Sequence, residues 1–223
     1  MTDPFNAVIF DMDGLLVDSE PVWATCEREL LAKRGKAWRF EVQQKLIGMR
    51  MDDFLSGMIA GYALGEAPHV MREELLTEMR ARIPVHAHAR PGAAELLAYL
   101  HEAGIPCAIA SSSAEVIIDT VVQSRGWDRY FQTRVTAEVV QHGKPAPDVY
   151  LEAARQLGVD PRDCLALEDS PNGARAAVAA GMTCYAVPDA SHAHAELFDG
   201  ITPHVFDSLH DVLRELEGSR FED

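Results

Sequence analysis

The tightest constraint on what this chain can fold into is Ala7-Val8-Ile9-Phe10, followed at once by Asp11-Met12-Asp13-Gly14. Four apolar residues without polar alternation read as a strand buried on both faces, as inside a parallel sheet. Two carboxylates one residue apart then stand just past its end, on the carboxyl edge where open α/β sheets bind their ligands. Such a pair can ligate a hard cation, attack an electrophile or carry a proton. The bland alternative is that Asp11 and Asp13 only cap the next helix, as aspartate often does.

The rest of the chain supplies the partners of that strand. Pro106 to Ala110 is a second apolar run and ends in Ser111-Ser112-Ser113. Cys164-Leu165-Ala166-Leu167 is a third and ends in Glu168-Asp169, with Ser170 placed to cap a helix opened by Pro171. Thr133 to Thr136, Thr183 to Val187 and His204 to Phe206 read as further strands. Helices are expected over 93–103, 114–124, from the loop Gly143-Lys144-Pro145-Ala146-Pro147-Asp148 to Gly158, and near 209–216. Strands alternating with helices imply an α/β fold: a parallel sheet covered on both faces, three layers in all.

One block breaks the alternation. From about residue 18 to 84 there is no convincing strand. Helices are expected over 20–34, 40–46, 51–62 and 70–83, punctuated by Gly48, Gly57, Gly61, Gly65 and Pro68. Pro84 and Pro91-Gly92 mark the return. We read an all-helical cap of 18–85 inserted into a core of 1–17 and 86–223, a division that suits 223 residues.

Composition excludes several classes. A net charge of -15 argues against nucleic acid, which selects basic surfaces. No apolar run approaches the roughly 20 residues that span a bilayer, so no membrane partner is expected. Met1-Thr2-Asp3-Pro4 lacks the basic start of a signal peptide, and a cytoplasmic location is the default. Cys26, Cys107, Cys164 and Cys184 are too scattered for a zinc site and read as buried free thiols. Whether the chain is a monomer or a small homo-oligomer is not legible.

Parallel strands bring their carboxyl ends to one edge, so Asp11, Asp13, Ser111, Ser112, Glu168 and Asp169 converge, with Lys144 in a proline-stiffened loop between two of them. Carboxylates crowded together call for a cation, and an all-oxygen donor set suits Mg²⁺. Ser111 and Lys144 can hold the nonbridging oxygens of a phosphate. One Asp can attack phosphorus while another handles the proton of the leaving oxygen.

These four motifs, in this order, resemble the haloacid dehalogenase-like phosphotransferases: Asp11-Met12-Asp13-Gly14, Ser111, Lys144 within Gly-Lys-Pro-Ala-Pro-Asp, and Glu168-Asp169 within Glu-Asp-Ser-Pro-Asn-Gly. The resemblance implies a Rossmannoid core, a mobile cap and a small phosphorylated substrate. It makes Asp11 the nucleophile and Asp13 the general acid/base. It assigns Mg²⁺ to the Asp11 carboxylate, the Asp13 carbonyl and Asp169, with Glu168 on the ion or just behind its ligands.

An insertion directly after the first motif is similar to the β-phosphoglucomutase-like branch. The mutases of that branch carry a cap His twelve residues past the nucleophile, where this chain has Trp23. Asp18-Ser19-Glu20-Pro21 with Trp23 looks more like the hexose- and hexitol-phosphate phosphatases. The expected function is therefore a phosphatase of sugar or sugar-alcohol phosphates, with a phosphosugar mutase as the alternative. A hydrolytic dehalogenase would need neither Asp13 nor Asp169. A receiver-like signalling domain, phosphorylated on Asp without turnover, would need no cap.

In the cap, Glu20 is expected to meet sugar hydroxyls and Arg50 to reach the substrate, with Lys45 a weaker candidate. Asn172 is expected to shape the loop after Asp169. His86 with His88, and His192 with His194, read as exposed loop or strand-end residues rather than metal ligands.

Overall fold

The computed structural model describes residues 5–46, 49–189 and 193–219. Gly48, His192 and the Met1–Pro4 start lie outside the described residues.

Five parallel strands form the central sheet: β1 (Ala7–Phe10), β4 (Cys107–Ser111), β5 (Thr133–Thr136), β6 (Cys164–Glu168) and β7 (Thr183–Ala186), in the order β5-β4-β1-β6-β7. The first strand is thus the central one, and all four of its residues are buried. Its alternate side chains feed two different cores. Val8 and Phe10 join Ile109, Leu165 and Leu167 on one face, and Ala7 and Ile9 join Ala108, Ala110 and Ala166 on the other. The two-residue period of a strand therefore builds the three-layer α/β architecture.

Helices cover both faces. The first carries α5 (Ala93–Glu102), α6 (Glu115–Arg125) and α9 (Leu209–Ser219). The second carries α7 (Asp148–Leu157) and α8 (Pro171–Ala179), whose buried residues are largely Ala.

The helical block is α1 (Glu20–Ala32), α2 (Phe40–Gln43), α3 (Met51–Tyr62) and α4 (Pro68–His86). A two-residue antiparallel ribbon, β2 (Val17–Asp18) with β3 (His88–Ala89), brackets it by pairing Asp18 with His88 and Val17 with Ala89. Strands this short carry no sequence signal.

Three expectations need correction. The helix of 40–46 is a single turn, because Leu46 turns inward to pack beneath Gly57 while Gln44 and Lys45 stay exposed. Pro84 does not end α4 but sits in its last turn, where the Arg125 guanidinium donates to the carbonyls of Ile83, Pro84 and Ala87 and so satisfies the helix end. The strand of 204–206 is one bridge, Ala186 to Val205.

Candidate active site

The ends of β1, β4 and β6 meet as their sequence implies. Asp11 leaves the sheet with its N–H bonded to the Leu167 carbonyl at 2.9 Å, which places it beside the end of β6. Lys144 Nζ, from the loop before α7, donates to Asp11 Oδ1 at 2.5 Å and to Glu168 Oε1 at 2.6 Å. All three side chains are buried. Burial opposes the lysine's charge, but Asp11 and Glu168 outweigh it and hold the ammonium above its ordinary pKa.

Glu168 is the organiser of this corner. Its Oε1 also accepts from the Tyr150 hydroxyl at 2.8 Å. Its Oε2 accepts from the backbone N–H groups of Asp169 and Ser170 and from Ser170 Oγ, each at 3.1 Å. Ser170 Oγ then accepts the Gly173 N–H and caps α8. Gly173 is required sterically, since a Cβ there would overlap the Glu168 carboxylate. Gly14, at φ +81°, is required twice over: for its backbone, and because a Cβ would strike the Asp169 carboxylate.

Asp13 points to a different set of partners. Its Oδ1 accepts from Ser19 Oγ at 2.5 Å and from Trp23 Nε1 at 3.2 Å, both on the α1 side. Its Oδ2 accepts from Ser113 Oγ at 2.7 Å and, at 3.5 Å, from Ser111 Oγ. One carboxyl thus joins the helical block to the loop after β4. Ser111 Oγ also accepts the Ser113 N–H at 3.0 Å, which shapes that loop. Ser112 Oγ is buried and has no hydrogen-bond partner among the described residues.

A cavity opens over this rim. Asp11, Asp13, Glu20, Ser112, Ser113, Lys144, Asp169, Ser170 and Asn172 line its lower end, and α1 with the residues around α2 and α3 forms its upper walls. Expected residues that line it are therefore Asp11, Asp13, Ser112, Lys144, Asp169 and Glu20. Ser111 and Glu168 stand behind it. Asn172 sits at its edge, its side-chain oxygen accepting from Arg175 at 3.2 Å.

Arg50 does not line the cavity. Its guanidinium turns to Asp52, Asp53 and the Gln141 carbonyl, at 3.5, 3.7 and 3.3 Å. Lys45, His86, His88 and His194 are exposed, and the four cysteines are free and buried.

The sequence reading passed over Ser113, Ser19 as a partner of Asp13, Tyr150, and the upper-wall residues Glu27, Trp38 and Gln43. Glu27 had a legible signal: Glu20, Trp23, Ala24 and Glu27 repeat at helical spacing and so share one face of α1.

The donor set can be tested for a divalent cation. Asp11, Glu168 and Asp169 each offer a carboxylate oxygen, and these lie within 4.8 Å of one another. Burial raises the pKa of both Asp11 and Asp169 well above the carboxylate range, and their acidic neighbours raise it further while Lys144 pulls the other way. One ammonium does not neutralise three carboxylates. All-oxygen ligands that repel one another when ionised fit Mg²⁺.

Acids, hydroxyls and an ammonium on the carboxyl edge of a parallel sheet, under a cavity, make an enzyme site of the kind that can handle a phosphoryl group. A family model described as haloacid dehalogenase-like hydrolase matches residues 5–181. Hexitol phosphatase B of Escherichia coli (strain K12) is 37% identical over 188 residues, 82% of this chain and 83% of that one. A Drosophila melanogaster protein named "Probable pseudouridine-5'-phosphatase" is 36% identical over 190 residues, 81% of this chain and 80% of its own. The crystal structure of CbbY from Rhodobacter sphaeroides in complex with phosphate superposes with a TM-score of 0.85, at 26% identity, over 96% of this chain and 99% of that one. The chain belongs to the haloacid dehalogenase-like hydrolases. It is a phosphoric monoester hydrolase, which sets aside the receiver-like reading. Among the described residues no helix is long and apolar enough to cross a membrane.

Proposed function

We propose that this chain is a Mg²⁺-dependent phosphatase of sugar or sugar-alcohol monophosphates, working through an aspartyl-phosphate on Asp11. The observation that carries the reading is that Asp11, Asp13, Ser112, Lys144 and Asp169 all line one cavity.

Asp11 Oδ attacks phosphorus, forming the acyl-phosphate bond as the bond from phosphorus to the ester oxygen breaks. Asp13 delivers its proton to the departing alkoxide, and the alcohol leaves. Asp13, now a carboxylate, takes a proton from water, whose oxygen attacks phosphorus. Phosphate departs, and Asp11 is restored as a carboxylate. Lys144 offsets charge on the phosphoryl oxygens, and the unpartnered Ser112 hydroxyl donates to one of them.

Asp11, Asp169 and the Asp13 carbonyl would hold Mg²⁺. Glu168, with both oxygens already engaged, supports Lys144 and the β6 loop. When bound, the ion supplies Lewis-acid stabilisation of the phosphoryl oxygens. Ser19, Trp23, Ser111 and Ser113 fix the Asp13 carboxyl at the wall of the cavity. Closure of the α1–α4 block over the rim would exclude bulk water.

The phosphatase is favoured over the mutase by the cavity's charge. A mutase turns over a bisphosphate, whose second phosphate needs a cation. Lys144 is the one basic side chain among the described lining residues, and it sits at the reacting end. The upper end carries Glu27 instead.

Phosphate release from a panel of monoesters with Mg²⁺ tests the reading, beside glucose 1-phosphate with its bisphosphate. Release from sugar monophosphates, abolished in Asp11→Asn, is expected. Isomerisation without release would overturn it.

A further inference from the structure

The upper half of the cavity is chemically unlike the lower half. Its walls are Trp23, Trp38, Leu46, Met51 and Phe54, and the only polar side chains there among the described residues are Glu27 and Gln43. Both are buried. Gln43 is anchored from behind, donating to Met58 Sδ at 3.0 Å and to the Tyr62 hydroxyl at 3.3 Å. Glu27 has a single hydrogen-bond partner among the described residues, a long contact of 3.5 Å from Trp38 Nε1. A buried carboxylate with one weak donor is costly unless another donor arrives.

The geometry sets a distance as well. Trp23 and Glu27 lie one turn apart on the same face of α1, about 6 Å along the helix. Trp23 touches Asp13 at the reacting end, so Glu27 marks the far end of whatever leaves. A leaving group of one ring, rather than a longer chain of rings, matches a separation of that order. Two indoles and a phenyl ring offer flat apolar surface to such a ring, and an open polyol chain has no matching set of polar partners here.

We propose that the upper half of this cavity selects the leaving alcohol, and that Glu27 is its specificity-determining residue: it accepts from a hydroxyl or ring N–H on the far side of a single ring seated against Trp23, Trp38 and Phe54. The inference rests on the phosphatase reading and narrows it to ring-bearing, uncharged leaving groups. A sugar ring and a hydroxylated heteroaromatic ring share the required chemistry. An anionic group at that end is disfavoured by Glu27.

The test is kinetic selectivity, measured with Mg²⁺ on glucose 6-phosphate, pyridoxine 5′-phosphate, glucitol 6-phosphate and cyclohexylmethyl phosphate, a ring with no donor. The wild-type protein should prefer one of the two donor-bearing rings over both the open chain and the bare ring, and whichever is preferred identifies the source of the donor. In Glu27→Leu the ratio of kcat/KM between that ester and cyclohexylmethyl phosphate should fall roughly 10- to 100-fold, mainly through KM. Glu27→Gln, which keeps one acceptor, should recover part of the ratio. A purely structural Glu27 would depress both esters together and leave the ratio unchanged, which overturns the inference, as does a wild-type preference for glucitol 6-phosphate. If no ester turns over at all, the phosphatase reading falls and this inference with it.

Discussion

Replacing Glu27 by Gln should make the protein more stable, and increasingly so as the pH rises. Burial pushes the Glu27 carboxyl from 4.5 up to about 7, against the pull of the Trp38 N–H and the Arg28 charge. Between those values the unfolded chain has lost the proton while the folded chain keeps it. Folding stability therefore declines as pH climbs through the window, then levels above pH 7 where both forms are ionised. Gln at this position does not titrate, and its amide oxygen can keep the Trp38 contact. Linkage over the interval gives a full penalty of about 3 kcal/mol, of which about 2 kcal/mol develops between roughly pH 5.5 and 8.5. The stability advantage of Glu27→Gln should widen by that amount, seen as roughly 4–8 °C in Tm for a chain of this size. Urea unfolding of both proteins at the two pH values, without Mg²⁺ or ester, measures it. Because other groups titrate equally in both, only the difference matters. Parallel pH profiles would refute the claim that this carboxyl is buried without adequate partners.

Further outcomes follow from the lower rim. Lys144→Met leaves Asp11 and Glu168 buried without their cation and should cost about 3–5 kcal/mol, measured by denaturant unfolding; a loss below about 1 kcal/mol would contradict the pairing geometry. Mg²⁺ should raise the Tm of the wild-type protein, by the equivalent of about 2.7 kcal/mol at a hundred times its Kd, and Asp169→Asn should abolish most of that rise. Asp13→Asn should spare phosphate binding, read by calorimetry, while slowing both half-reactions in rapid-mixing experiments. Gly173→Ala should destabilise the fold because the added methyl displaces the Glu168 carboxylate; wild-type melting behaviour would show that the α8 start can shift.

The lower rim was readable in the sequence because each part of it is local. An apolar run that ends in acid or serine gives both a strand and the edge it points to, and parallel topology does the rest for Asp11, Ser111, Ser112 and Asp169. The upper half was not readable for the opposite reason. Glu27, Trp38 and Gln43 come from α1, the segment after it, and α2. Only packing brings them together, and the single-turn length of α2 depends on where Leu46 is buried. Arg50 shows the same limit: its proximity to the cavity in sequence gave no hint that Asp52, Asp53 and the Gln141 carbonyl would hold it away. The Trp23 contact with Asp13 needed the α1 axis, which hydrophobic spacing alone does not orient. Pro84 misled because proline usually ends a helix, and the compensating Arg125 lies far away in the chain.

Asp11 is the residue expected to carry the phosphoryl group. Acid quenching during turnover with Mg²⁺, followed by borohydride reduction and peptide mass spectrometry, tests it directly, because an acyl phosphate is reduced to the alcohol while a free carboxylate is not. Homoserine is expected at position 11 in the wild-type protein and at no other acidic position. Unmodified Asp11 under full turnover, or reduction at Asp13 or Asp169 instead, would contradict it.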